Sequence, residues 1–345
     1  MSPGRRAAWV VALAGLGAAC SAPVLPEPLR RAERFEHDGR REEALTAYAE
    51  ELRACGSNQP RCGMAAIGRA RLLERMGRTE EAIQAYEAVP RLDAHGRTPA
   101  RGLYRAAELA ARQGDLQRAL RDAWRAIHEY PNTVPAEDAV RLLVVRMRQA
   151  GRARELAEQL GRAAARVKGA DVADNLLLAQ GDLLERDLDD PAGAIRIWDH
   201  LVALYPRSSL YDDAMWRAGQ TARRLGDFHG AIERLRVITN QRRIAFFTGS
   251  YISEWLDDAL LLIGRIYRDD LKDPGHALHA FADLRDNFKT SVLRDDAQLE
   301  IARTHVGTGD LARACAALGR LRQDFPRSKH NRFAGAELRA RAGCR

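Results

Sequence analysis

One spacing governs what this chain can fold into. Small residues recur inside apolar, helix-spaced runs at Ala32, Ala70, Ala107, Gly181, Gly219, Gly264 and Ala302. With Val144 completing the series, the intervals are 38, 37, 37, 37, 38, 45 and 38 residues. A period of that length is one helix pair, which cannot bury its apolar face alone, so the chain must stack such pairs in an array. A second marker supports the same register: a glycine followed five residues later by alanine at Gly39/Ala44, Gly77/Ala82, Gly114/Ala119, Gly226/Ala231 and Gly309/Ala314. Glycine ends a first helix in a left-handed turn. Alanine then lets a second helix approach closely, and Tyr48, Tyr86, Leu235 or Leu318, four residues on, fills the space beyond. The flanking segments carry apolar residues at i, i+3, i+4 and i+7, as amphipathic helices do. With aromatic content of only 6% and a sequence dominated by Ala, Leu, Arg and Glu, local propensity agrees.

Three irregularities stand out. Repeat 4 has Val144 and Leu156 where small residues belong. Repeats 5 and 7 gain one residue in the turn between helices, at Asp190-Pro191 and Asp273-Pro274. The 45-residue interval holds seven extra residues within Arg242–Ile252, including Phe246, Phe247 and Tyr251. That insertion is either a helix extension packed under the next repeat or a protruding loop that meets a partner, because exposed apolar clusters mark interfaces.

Repeats close on Tyr130-Pro131, Tyr205-Pro206 and Phe325-Pro326, with Phe288-Lys289 as a degenerate copy. Proline cannot continue a helix, and Ser208, Ser328 and the Asp-Ala pairs beyond suit the N-caps of the next one. Small residue, small residue, aromatic and closing proline together resemble the tetratricopeptide repeat. The resemblance covers residues 28–328 and implies an all-α tetratricopeptide-type helical-repeat solenoid of about eight helix-turn-helix repeats. Residues 329–345 are expected to form a C-terminal capping helix. The aromatic-Pro-x-Ser turn and Asp-Ala pairs resemble an envelope subgroup that includes BamD-type outer-membrane assembly lipoproteins and YbgF-type proteins linked to Tol–Pal.

Residues 1–19 follow a secretory layout of Arg5 and Arg6, an apolar run from Ala7 to Leu16, and small residues. The run is short for a bilayer span. Leu16-Gly17-Ala18-Ala19-Cys20 resembles the lipobox of bacterial lipoproteins, with Leu one place earlier than usual, and implies lipid attachment at Cys20. Residues 20–27 then form a proline-rich, semi-stiff tether. Ser21 after the cysteine implies the periplasmic face of the outer membrane. The alternative is ordinary cleavage near Ala19 or Ala22 and a soluble periplasmic product.

The formal charge of +8 is nearly all Arg, with Lys only at 168, 272, 289 and 329, and acidic residues are interleaved with it. This reads as salt-bridged helix faces, not a nucleic-acid stripe. An oxidising compartment makes the remaining cysteines disulfide candidates. Cys55 and Cys62 bracket a short loop, whereas Cys315 and Cys344 meet only if the last helices pack antiparallel and Cys344 does not overshoot. No histidine shares a cysteine cluster at ligand spacing, and His276 and His279 read as surface residues, so no metal or other cofactor is expected. No nucleophile motif or phosphate-cradling glycine loop is present, which argues against an enzyme.

By the resemblance, ligands lie along the inner face formed by the first helices. There, five residues past the small position in repeats 2, 3, 5 and 6, stand Arg75, Arg112, Arg186 and Arg224, with Arg268 one place earlier in repeat 7; Tyr104 and Trp216 fall three residues before the small position of their repeats. This row either seats an acidic extended peptide or is salt-bridged to neighbours such as Glu74, Asp182 and Glu185. The expectation is a non-catalytic scaffold for other envelope proteins or peptides, in a barrel-assembly or Tol–Pal-like complex. The alternative is an accessory repeat module for a peptidoglycan- or polysaccharide-processing enzyme.

Overall fold

The computed structural model describes residues 27–56, 58–240, 243–245, 249–251 and 253–344; Cys20 and the tether up to residue 26 lie outside them, and Glu27, the last expected tether residue, instead begins a helix. The chain divides into two compact units, Met1–Ala94 and His95–Arg345. The first contains α1 (Glu27–His37), α2 (Arg41–Arg53), α3 (Pro60–Arg75) and α4 (Thr79–Leu92), which are repeats 1 and 2. The second begins with α5 (Arg97–Gln113), α6 (Leu116–Glu129), α7 (Val134–Gln149), α8 (Ala153–Arg166), α9 (Val172–Arg186) and α10 (Pro191–Leu204), making repeats 3 to 5. It continues with α11 (Tyr211–Arg224) and α12 (Phe228–Asn240) as repeat 6. Repeat 7 is α13 (Leu256–Arg265), extended by a π-helical turn (Ile266–Asp270), with α14 (Pro274–Asn287). Repeat 8 is α15 (Arg294–Gly307) with α16 (Leu311–Asp324), and α17 (Ala334–Ala342) packs on both. The fold is all-α and of helical-repeat type.

Between α12 and α13 the described residues of the insertion do not extend the helix. Strands β1 (Arg243–Ala245) and β2 (Gly249–Tyr251) pair antiparallel, with Arg243 opposite Tyr251 and Ala245 opposite Gly249. Phe246 and Phe247 lie outside the described residues, and so does the side chain of Tyr251.

Each hairpin turn follows from its sequence. Gly114 ends α5 at φ +86°, a conformation that side chains with a Cβ resist. In repeats 5 and 7 the extra residue changes the solution: Asp189 and Lys272 take the left-handed position, at φ 52° and 55°. Next come Asp190-Pro191 and Asp273-Pro274, in which the aspartate caps the second helix and proline supplies its first turn. Asp115, Asp190, Asp227, Asp273 and Asp310 each accept a hydrogen bond from the backbone N–H three residues on, at 2.7–3.0 Å. Repeats 1, 2 and 4 have Arg40, Arg78 and Arg152 there, paired instead with Glu43, Glu81 and Glu155.

In three hairpins a glycine on the first helix makes room for a large side chain on the second. Gly181 faces Trp198, and a Cβ on it would meet Trp198 Cδ1 at 2.7 Å. Gly264 faces Phe281 and Gly219 faces Leu235 in the same way. All three large partners are fully buried. Where the first helix keeps a methyl group, the residue sixteen on varies, from Tyr48 and Tyr86 in repeats 1 and 2 to Leu318 in repeat 8, all buried. Repeat 4 departs from its neighbours. Val144 stands where Gly181 does in repeat 5 and Leu156 where Ala194 does; α8 packs chiefly on α9, and α7 on α5, α6 and α9.

Of the repeat-closing serines, Ser328 caps the short 3-10 turn Lys329–Asn331, accepting from His330 N at 3.1 Å, whereas Ser208 and Ser291 lie ahead of the N-caps of their helices. Ser208 accepts from Leu210 N at 2.9 Å and donates to Asp174 in the preceding repeat. Ser291 accepts from Leu293 N at 3.0 Å and donates to Asp257 at 2.7 Å. The motif therefore turns the chain and latches one repeat to the one before it.

Candidate functional site

Within each unit, the arginines singled out on the first helices already have their charges engaged. Arg75 on α3 pairs with Glu36 on α1, and Glu36 also accepts from Tyr48. Arg224 on α11 pairs with Glu185 on α9 and bonds Thr221 Oγ1 at 2.9 Å. These two bridges are equivalent: an arginine five residues past one small position reaches a glutamate four past the previous one. Arg112 pairs within α5 to Glu108 at 2.6 Å, while Arg186 sits 3.8 Å from Glu185 and 4.0 Å from Asp182. More than half of each of these four side chains remains exposed, so they can still meet a ligand.

Arg268 differs. Its side chain is only 19% exposed and is clamped on Glu300, which is 2% exposed and also receives Arg265 at 2.9 Å and Arg303 at 3.0 Å. Burial raises the Glu300 pKa, but the hydrogen bonds and charges of Arg268 and Arg265 outweigh it and hold the carboxyl below its ordinary range. Arg268 is thus part of the repeat 7–8 joint. The aromatic members are also committed. Tyr104 packs against the core, and burial raises its pKa. Trp216 stacks on Trp255 at 5.1 Å between ring centroids.

Two open cavities lie on this face of the second unit. One, about 480 Å³, is lined by Glu185, Arg186, Asp189, Arg217, Gln220 and Arg224 between α9 and α11. The carboxylates around it differ: Asp182, outside the lining but holding the lining residue Arg217 at 2.5 Å, has its pKa raised by burial. For Glu185, burial is outweighed by hydrogen bonds from Thr221 and Arg224, and its pKa falls. The other cavity, about 620 Å³, is bounded by the π-turn, α15 and α17, with Lys272, Arg303 and Arg341 facing Asp269 and Glu337.

Both cysteine pairs are bonded. Cys55–Cys62 closes the loop before α3, with Cα atoms 5.8 Å apart. Cys315 in α16 joins Cys344 at 5.4 Å between Cα atoms. Gly343, at φ +66°, ends α17 in a left-handed turn, which accounts for how Cys344 reaches a partner that a straight helix would pass.

His276 bonds Asp273 at 2.6 Å and stacks on Tyr267, while His279 is exposed. Asp295, Asp296 and His330 bring three donor atoms within 4.8 Å of one another. His330 Nε2 contacts Asp296 at 3.0 Å, in the kind of inter-repeat corner that Ser208–Asp174 and Ser291–Asp257 occupy, so the cluster reads as a latch. The sequence reading missed Glu36, Arg217, Glu300 and Trp255. For Glu36 the signal was available, since adding one period to it lands beside Arg75.

Models of the tetratricopeptide repeat match residues 66–95, 213–242 and 296–328, within repeats 2, 6 and 8. No curated protein matches the chain in sequence. Similar solved structures include a tetratricopeptide repeat protein from Parabacteroides merdae, at 15% identity over 81% of this chain and 97% of that one, with a TM-score of 0.33. Another is the C-terminal part of a repeat protein from Cytophaga hutchinsonii, at 12% identity over 90% and 98%, TM-score 0.44. A third is PilF of Pseudomonas aeruginosa, at 13% over 69% and 97%, TM-score 0.38. The chain carries tetratricopeptide repeats, a unit that generally mediates contacts between proteins.

Proposed function

We propose that this protein is a non-catalytic scaffold of the bacterial envelope, lipid-anchored through Cys20 on the periplasmic face of the outer membrane. There it seats extended segments of other envelope proteins. The observation that carries the binding reading is the cavity between α9 and α11, whose exposed Arg186 and Arg224 line an open, peptide-sized groove. Two disulfides favour an oxidising compartment, which agrees with the secretory layout of residues 1–19. A barrel-assembly or Tol–Pal-like complex is the partner class in view.

The test is crosslinking and co-purification from detergent-solubilised envelope. Wild type is expected to bring down envelope subunits, and Arg186→Glu with Arg224→Glu to lose them while keeping its melting temperature. Retention of every partner by that variant overturns the groove. A Cys20→Ala protein that still fractionates with membranes overturns the anchor, and recovery of glycan-processing enzymes alone overturns the choice of partner.

A further inference from the structure

The second helices of repeats 3 and 4 form a cavity beside the loosened α7–α8 hairpin, away from the arginine row. It measures about 360 Å³, within the range of ligand sites, and is lined by Trp124, His128, Gln159, Arg162, Ala163 and Arg166. The spacing is what two facing helices require: Trp124 and His128 share one face of α6, and Gln159, Arg162, Ala163 and Arg166 share one face of α8. Trp124 and His128 stack at 5.5 Å with planes 15° apart, making a flat aromatic wall. Opposite it, Arg162 is only loosely held by Glu158 at 3.8 Å, and Arg166 has no carboxylate partner among the described residues.

Two further atoms point to an occupant. His128 Nδ1 and Gln159 Oε1 are buried without a hydrogen-bond partner among the described residues, and buried polar groups are ordinarily satisfied. Burial and the nearby Arg166 lower the His128 pKa, which favours a neutral ring at neutral pH.

We infer that this cavity is a second docking site, on the second-helix side of the array, for an acidic peptide segment of a partner carrying an aromatic residue. The two guanidinium groups take the carboxylates. The Trp124–His128 wall takes the ring, and the peptide backbone supplies the N–H that Gln159 Oε1 lacks. The site lies beside the one hairpin whose two helices pack mainly on others, and it stands whether or not the arginine row binds anything.

The test uses the full chain after residue 19 and a capped Glu-Glu-Phe-Glu tetrapeptide, followed by titration calorimetry at low salt. Saturable binding is expected, with an upward shift of the His128 titration seen by NMR as the ligand's charge offsets Arg166. Arg162→Gln with Arg166→Gln is expected to weaken binding by about tenfold or more, with an unchanged melting temperature. Arg186→Gln with Arg224→Gln leaves binding intact, which separates this site from the groove. The inference is overturned by no binding to wild type, by equal affinity for Gln-Gln-Phe-Gln or Glu-Glu-Ala-Glu, or by indifference to the Arg162/Arg166 change. Displacement by an equal concentration of inorganic phosphate also overturns it, in favour of simple anion binding.

Discussion

Repeats 4 and 5 are neighbours in the chain and follow one plan, yet they close differently. In repeat 5 the first helix gives up every side-chain atom at Gly181, and the second helix fills the space with Trp198, fully buried. In repeat 4, Val144 stands in place of that glycine and Leu156 in place of Ala194, with Leu160 where Trp198 would be, and α7 and α8 pack mainly on other helices. The lesson is that a glycine on the first helix lets a large side chain of the second come close, as at Gly181 and Trp198, whereas bulk on the first helix goes with a hairpin whose two helices pack mainly on others.

The largest effect on this comparison is expected from emptying the filled crossing. Trp198→Ala should cost about 3–5 kcal/mol, read by denaturant unfolding, with amide exchange accelerated in α9 and α10. Next comes overfilling. Gly181→Ala should cost about 1–3 kcal/mol, because its new methyl group meets a ring that has no room to move. Adding Trp198→Leu to that variant reproduces the Ala302–Leu318 arrangement and should recover part of what the two single changes cost. If the double variant is no better than the sum, volume exchange is the wrong description. Val144→Ala in the open hairpin should cost no more than about 1 kcal/mol. Amides of α7 and α8 should also exchange before those of α9 and α10.

The smallest effect is electrostatic, and the two repeats have opposite signs. Burial raises the Glu137 pKa in α7. Its carboxylate therefore weakens the fold at neutral pH, and the loss is relieved as pH falls through the raised folded value. In Glu185 of repeat 5, burial is outweighed by Thr221 and Arg224, which lower the pKa. Its contribution is present above the unfolded carboxylate pKa of about 4.3 and is lost as pH falls through the folded value below that. Carboxylate NMR titrations should place Glu137 above Glu185, and Glu137→Gln should flatten the pH dependence only on the higher side.

Much of this was legible in the sequence because period is a global signal. The eight hairpins, the weakness of repeat 4 and the odd turns of repeats 5 and 7 all follow from counting between small residues. What escaped the count lies in pairs that the period does not align. Trp216 and Trp255 meet across the one irregular interval, and Glu300 draws in Arg265, Arg268 and Arg303 from two different helices. The insertion escaped for a different reason. Arg243–Tyr251 carries the Ile, aromatic and glycine content of a hairpin, but a helical context on both sides argued for continuing the helix. For the arginine row the sequence left two readings open, a peptide seat or salt bridges to neighbours, and the structure shows its charges paired largely with neighbouring carboxylates.

The Cys315–Cys344 bond has a practical consequence. The backbone from α16 to Cys344 and the disulfide together form a closed ring, and that ring contains the turn around Lys329–Asn331 and Phe333, which is 72% exposed. A chymotrypsin-like protease that nicks the chain after Phe333 leaves both fragments joined, so the cut is silent on a non-reducing gel and emerges only on reduction. Limited digestion resolved with and without reductant therefore maps that turn while reporting the state of the bond.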